Sequence, residues 1–198
     1  MTIVADIVVI GGGIAGASAA HELAAKADVV LLEREAQCGY HATGRSAASF
    51  TENYGTQVIR RLVLASRGFL SHPPEGFAEH PLLAPRGMIT IAREDQLDRL
   101  DAELARARRF VPSMQRIGAA EAMRRVPVLR PDYLADAILE PGSMDIDVHG
   151  LHQGYLKALR RLRGRIATGA AAAAIAREGA GWRVTTAAET YAAPVVVN

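Results

Sequence analysis

The chain has 198 residues, 49% hydrophobic and 22% charged, enough apolar mass for a packed core, which excludes a disordered polymer. Its 23 basic and 21 acidic residues leave a formal charge of +2, a balance that gives no reason to expect nucleic acid or an anionic membrane surface as partner. The single cysteine, Cys38, excludes an intramolecular disulfide and a cysteine-based zinc site.

The first element is the apolar run Ile7-Val8-Val9-Ile10, of the kind shown by a parallel strand covered on both faces. It breaks into Gly11-Gly12-Gly13, and the small residues that follow read as a helix. Gly11, Gly13 and Gly16 fit G-x-G-x-x-G at a strand end and helix start, where the pattern has a mechanism. The first glycine allows a tight turn, the second lets backbone approach a pyrophosphate, and the third lets helix pack on strand, helped by Ala15, Ala17, Ala19 and Ala20. The free N–H groups and positive end of that helix then face the phosphates. A second run, Val29 to Leu32, ends in Glu33, about 20 residues past the glycines, where a carboxylate accepts the ribose hydroxyls. An acid there repels a 2′-phosphate, so an NADP-type ligand is disfavoured.

Residues 39–48, GYHATGRSAA, form a turn leading into small residues. Gly44 can bend against a flat ring, Arg45 can bring charge to a pyrophosphate, and Ser46, Ala47 and Ala48 are small enough to lie under a planar group. From Phe50 to about Glu140 the pattern changes. Thr56 is placed to cap a helix whose Val58, Ile59, Leu62, Val63, Ala65 and Phe69 are predicted to face a core, and His72-Pro73-Pro74 ends it. A strand is predicted over 88–91. A helix begins near Glu94 with Leu97, Leu100, Leu104 and Phe110 on one stripe, and Pro112 closes it. Arg106, Arg108 and Arg109 share that helix with Asp98, Asp101 and Glu103, as on a solvated face. A short helix over 119–125 and a strand over 137–140 follow.

After Asp145-Ile146-Asp147, Leu151, Tyr155, Leu159 and Leu162 mark a helix, with Lys157, Arg160, Arg161 and Arg163 gathered near its C-terminus, where cations are favoured. His149 and His152 read as packing or capping residues at the helix start, because no third ligand lies near enough for a metal site. Next come Ile166-Ala167, the alanine-rich 170–176 stretch, a hairpin over 182–186 and 190–192, and an apolar strand at 195–197. Cys38 reads as an inert small side chain. No basic-then-apolar leader opens the chain and no run reaches membrane-spanning length, so a cytoplasmic protein is expected.

Together, the glycine turn, Glu33, GYHATGRSAA (39–48), TENYGT (51–56), GFAEHPLLAPRG (76–87), PVLRPD (127–132) and DIDVHGLHQGYL (145–156) resemble FAD-dependent oxidoreductases of the D-amino-acid oxidase, glycine oxidase and sarcosine oxidase type, most of all the D-arginine dehydrogenase branch. The resemblance implies an α/β, Rossmann-like FAD-binding domain built from residues 1–48 and 145–198, with an α+β substrate-side insertion over 49–144. It implies FAD as cofactor, held by Gly11, Gly13, Ile14, Ala15, Gly16, Glu33, Arg34, Gly44, Arg45, Ser46, Ala47, Ala48 and the backbone of Ala172. Ser49 and Tyr54 are the candidate catalytic positions, and no metal is expected. The implied activity is oxidative deamination of a D-amino acid or related amine by hydride transfer to the flavin. The arginine-oxidising relatives carry an acid just before the strand at 88–91; Arg86-Gly87-Met88 lacks it, which leaves a neutral D-amino acid as good a candidate substrate. Some relatives bind flavin covalently through histidine; His41 is expected instead to pack or hydrogen-bond. In the resembled family a second half follows the strand at 195–197, so this chain is expected to be the N-terminal part of an enzyme, completed in a longer chain or by a second chain, and its exposed edge makes self-association an expectation for the isolated residues. The alternative is a truncated FAD-binding module without catalysis of its own.

Overall fold

The apolar runs become strands, and the small or amphipathic stretches between them become helices, in the computed structural model, which describes residues 1–198. In chain order the elements are β1 (Thr2–Val4), β2 (Ile7–Ile10), α1 (Ile14–Ala24), β3 (Val29–Leu32), β4 (Ser49–Phe50), α2 (Gln57–Ser71), β5 (Leu83–Pro85), β6 (Met88–Ala92), α3 (Leu97–Ala107), β7 (Gln115–Gly118), α4 (Ala119–Arg125), β8 (Asp136–Glu140), β9 (Met144–Ile146), α5 (Val148–Arg161), β10 (Arg165–Ala167), β11 (Ala174–Glu178), β12 (Gly181–Thr185), β13 (Thr190–Ala193) and β14 (Val195–Val197). They gather into two units, one of Met1–Ala47, Pro74–Leu82 and Val148–Asn198, the other of Ala48–Pro73 and Leu83–Asp147. No helix is long and apolar enough to cross a membrane.

The first unit is built on a parallel sheet in the order β10-β3-β2-β14. Its central strands are apolar at every position because both faces are covered. Val9, Val29 and Leu31 pack against Ala17, Ala20 and Ala24 of α1 and Leu156 and Leu159 of α5. Val8, Val30 and Leu32 face the other way, onto Val184, Tyr191 and Ala193 of a second sheet, ordered β1-β13-β12-β11. The small residues of α1 let it approach closely. A Cβ on Gly16 would stand 1.9 Å from the carbonyl oxygen of Gly11, which itself has φ +104°, so the turn and the helix start require both glycines.

The stripe on α5 differs from the sequence reading. Its buried residues are His152, Gly154, Leu156 and Leu159, while Leu162 is exposed. Gly154 provides a groove for Phe77, whose ring a Cβ there would approach to 2.4 Å. Phe77 also meets Tyr155 edge-on at 5.1 Å, and Lys157 pairs with Glu79 at 2.9 Å. These contacts hold residues 74–82, which the sequence reading assigned to the insertion, within the first unit.

The second unit centres on an antiparallel sheet, β6-β8-β7. Leu100, Leu104 and Ala107 of α3 cover one face with Ile138; Ala122 of α4 covers the other with Ile117, Ala137 and Leu139. A smaller antiparallel sheet runs β4-β9-β5. Helix α2 overturns the expected orientation: Val58, Ile59 and Leu62 are 67%, 39% and 59% exposed, and Arg60 and Leu70 are buried instead. The arginines turn inward because aromatic faces and carboxylates receive them. Arg60 lies 5.4 Å from the Phe110 ring centre, and Arg67 lies 5.2 Å from that of Phe50 while bonding Glu52 at 2.6 Å. Thr56 occupies the N-cap position of α2 without a side-chain cap bond.

Candidate functional site

Parallel pairing brings the ends of β2 and β3 side by side: Gly11 N–H donates to the Leu32 carbonyl at 2.8 Å. Past the strand ends, the chain on either side of Glu33 is tied to the segment after β10. Glu33 N–H donates to Ala167 O and Ala170 N–H to Glu33 O, each at 2.8 Å. The result is a cavity of about 580 Å³, lined by Ile10, Gly11, Gly13, Leu32, Glu33, Arg34, residues 39–43 and Ala170–Ala172. A crevice outside the carboxyl ends of parallel strands is where open α/β sheets bind ligands.

Glu33 is 8% exposed and both carboxylate oxygens are held. Oε2 accepts from Gly12 N–H at 2.8 Å and Oε1 from Glu35 N–H at 2.9 Å. An ionised carboxylate has about four acceptor directions, so two remain for hydroxyl donors, and the group is fixed before a ligand arrives. At the start of α1, Ile14 N–H donates to Thr43 Oγ1 at 2.9 Å, which shows that this N–H points outward to an oxygen acceptor. The first turn holds no acidic residue and its N-cap, Gly13, supplies no side-chain cap, so the positive end of the helix is left for an anion. The wall at Gly11 is open, with nothing within 4 Å of the position a Cβ would take. Backbone donors, a fixed carboxylate and glycine and alanine stretches of wall fit the adenosine-diphosphate part of a dinucleotide.

The expected site residues fall into three groups. Gly11, Gly13, Glu33, Arg34 and Ala172 line this one cavity. Ile14, Ala15 and Gly16 open α1 beside it. Gly44, Arg45, Ser46 and Ala47 lie in the exposed turn that follows; Arg45 rests 5.3 Å from the Tyr40 ring centre and is not among the cavity-lining residues. Ala48, Ser49 and Tyr54 belong to the second unit. Ala48 holds φ +52°, Ser49 Oγ is 3.1 Å from Thr51 Oγ1, and Tyr54 is 68% exposed. His41 Nε2 lies 2.7 Å from Glu35 Oε1 and 2.9 Å from Arg34 Nη2, and its hydrogen bond holds the Glu35 carboxyl below the usual range. Burial, with Glu33 nearby, pushes the Cys38 thiol up, away from the reactive thiolate.

Sequence reasoning missed the roles of Thr43 and His152. Thr43 sits inside a motif already singled out, and its hydroxyl was the available signal. His152 is buried at 3% exposure, with Nε2 2.8 Å from the Gly12 carbonyl oxygen. Its register with Leu156 and Leu159 on one helical face was the signal.

The fold matches solved oxidases and a dehydrogenase over nearly all of this chain. Glycine oxidase from Geobacillus kaustophilus superposes with a TM-score of 0.84 at 23% identity, covering 98% of this chain and 54% of that one. L-alpha-glycerophosphate oxidase from Mycoplasma pneumoniae, solved with FAD bound, gives 0.82 at 16%, covering 98% and 53%. L-proline dehydrogenase from P. horikoshii gives 0.82 at 19%, covering 100% and 53%. The chain thus spans about half the length of each. Against family models, residues 6–198 match the one described as FAD dependent oxidoreductase, DAO. With nearly the whole sequence inside that match, the chain belongs to the DAO family of FAD-dependent oxidoreductases, and the cofactor of that family is FAD.

Proposed function

We propose that the protein takes part in FAD-dependent oxidation of a D-amino acid or a related amine, with the first unit holding the adenosine-diphosphate part of the cofactor and the second forming the substrate side. The observation that carries this reading is the single cavity in which Gly11, Gly13, a fixed and buried Glu33 and Ala170–Ala172 meet. Gly11 and Gly13 admit the pyrophosphate, the Gly13 N–H and the positive end of α1 face it, Glu33 accepts from the ribose hydroxyls, and the 170–172 backbone meets the adenine. Bound FAD supplies the two-electron acceptor for the carbon–nitrogen bond, while the protein supplies orientation and electrostatics. Ser49 and Tyr54 are the substrate-side residues of this chain. Arg86-Gly87-Met88 offers no carboxylate to a basic side chain, which leaves a neutral D-amino acid at least as good a candidate as a basic one.

A second reading is that residues 1–198 bind FAD and catalyse nothing by themselves; they span about half the length of the solved relatives. Calorimetric titration with FAD, NAD and NADP tests the cofactor. FAD should bind tightest, and equal affinity for NADP would overturn that assignment. Anaerobic mixing of the FAD-loaded 198-residue chain with a panel of D-amino acids then separates the two readings. Bleaching of the flavin band by any of them makes the chain catalytic by itself. No bleaching, together with bleaching by a longer chain containing the remaining half of the family fold, supports the module reading for these residues.

A further inference from the structure

The turn over Gly11–Gly13 must present backbone donors in one orientation, yet its three glycines give it little conformational restraint of its own. Two buried side chains supply that restraint. Glu33 Oε2 takes the N–H of Gly12 at 2.8 Å, which fixes the peptide between Gly11 and Gly12. His152, reaching in from α5, stands with Nε2 2.8 Å from the Gly12 carbonyl oxygen, which fixes the next peptide. In a planar trans peptide the carbonyl and the following N–H point in opposite directions. Anchoring Gly12 C=O on His152 therefore aims Gly13 N–H away from α5, and Gly13 lines the cavity. The same ring also backs the second wall. A Cβ on Gly39, which has φ +80°, would lie 2.9 Å from His152 Cε1, and Gly39 O accepts from Gly44 N–H at 2.8 Å to close the turn carrying residues 40–43.

We infer that His152 is a positioning residue of the cofactor site, holding the Gly12–Gly13 peptide in its pyrophosphate-accepting orientation and bracing the 39–44 turn from beneath. Nε2 carries the proton and donates it to Gly12 O. The inference rests on the FAD reading for its consequence in binding, but the ordering of the turn is a property of the chain alone, and the two are measured separately. His152→Gln keeps an amide N–H at similar reach; His152→Met keeps the bulk and removes the donor.

By backbone ¹⁵N relaxation without FAD, the Gly12 and Gly13 amides should be rigid in the parent and Gln chains, with order parameters near 0.85, and fall below about 0.6 in the Met chain. By calorimetry, the Met chain should bind FAD about tenfold more weakly and the Gln chain within about threefold of the parent. If the Met chain does not fold, His152→Leu, which also has no donor, takes its place with the same expectations. Unchanged order parameters in the donor-less chain, or a Gln chain as mobile as the Met chain, would overturn the inference. A parent chain that is ordered at Gly12 and Gly13 but does not bind FAD would instead overturn the cofactor reading.

Discussion

Glu33 and Glu140 are both buried acids that accept from backbone N–H groups. Glu33 receives one backbone N–H on each oxygen. In Glu33→Gln the amide nitrogen must confront one of those donors, at a cost of about 1–3 kcal/mol; urea denaturation without FAD should show the loss, and titration should show weaker FAD binding. Gly13→Val should leave the fold in place but raise the FAD dissociation constant by at least about 100-fold, because the added side chain enters the cavity. Even a Cβ there would stand 3.2 Å from Thr43 Oγ1. Glu140 is 4% exposed and accepts on Oε1 from the N–H groups of Glu52 and Asn53, at 3.0 and 3.4 Å. Burial still pushes its carboxyl above the ordinary value. Protonation is therefore easier in the folded than in the unfolded chain. The stability this contributes is complete below the unfolded value, about pH 4, and is lost as pH rises through the higher folded value. Glu140→Gln keeps an oxygen for both donors and removes the charge. Thermal melts should place its midpoint above the parent's near about pH 7.5, with the gain fading toward about pH 4.

Among the elements, β3 and α2 show which part of the pattern the sequence reveals. Leu31 is fully buried, and Leu31→Ala should cost about 2–5 kcal/mol. The apolar residues of α2 invited the same forecast, but with Val58 and Leu62 open to solvent, Val58→Ser or Leu62→Ser should shift the unfolding free energy by no more than about 0.5 kcal/mol. Periodicity shows that α2 has two faces; it cannot show that Phe110 and Phe50 wait for its arginines. Strands β2 and β3 were legible because burial on both sides leaves a continuous apolar run; β14 shows the same run at the sheet edge, where Val195 is 46% exposed. Strands β1, β4, β5 and β9 were not. Each has only two or three residues and owes its existence to a distant partner, as Thr2 does to Thr190 and Ser49 to Asp145. Strand β11 is exposed along its whole length, so no alternation marks it. The site divides the same way. Gly11, Gly13, Gly16 and Glu33 act within one local motif and could be read directly, whereas the bond of His152 to Gly12 spans 140 positions.

For the molecule as a whole, the first unit is assembled from three separated stretches of chain. Its middle stretch is held by Phe77 lying against Gly154 and Tyr155, by Lys157 on Glu79 and by the buried Leu82. Gly154→Ala, which puts a Cβ 2.4 Å from that ring, should cost about 1–3 kcal/mol and open residues 74–82 to limited proteolysis before the rest of the unit yields. The same discontinuity sets an order of events during synthesis. Strands β2 and β3 leave the ribosome early, yet their outer neighbours are β14 and β10. Translation runs at about 5–20 residues per second, so the wait for the last strand is roughly 10–30 s. Residues 83–147 carry the complete β6-β8-β7 sheet and can fold during that interval. Until Val195–Val197 emerge, the nascent chain holds Val8, Val9 and Val29–Leu32 without their full cover, so its longest-exposed apolar segment is the one that carries the glycine turn.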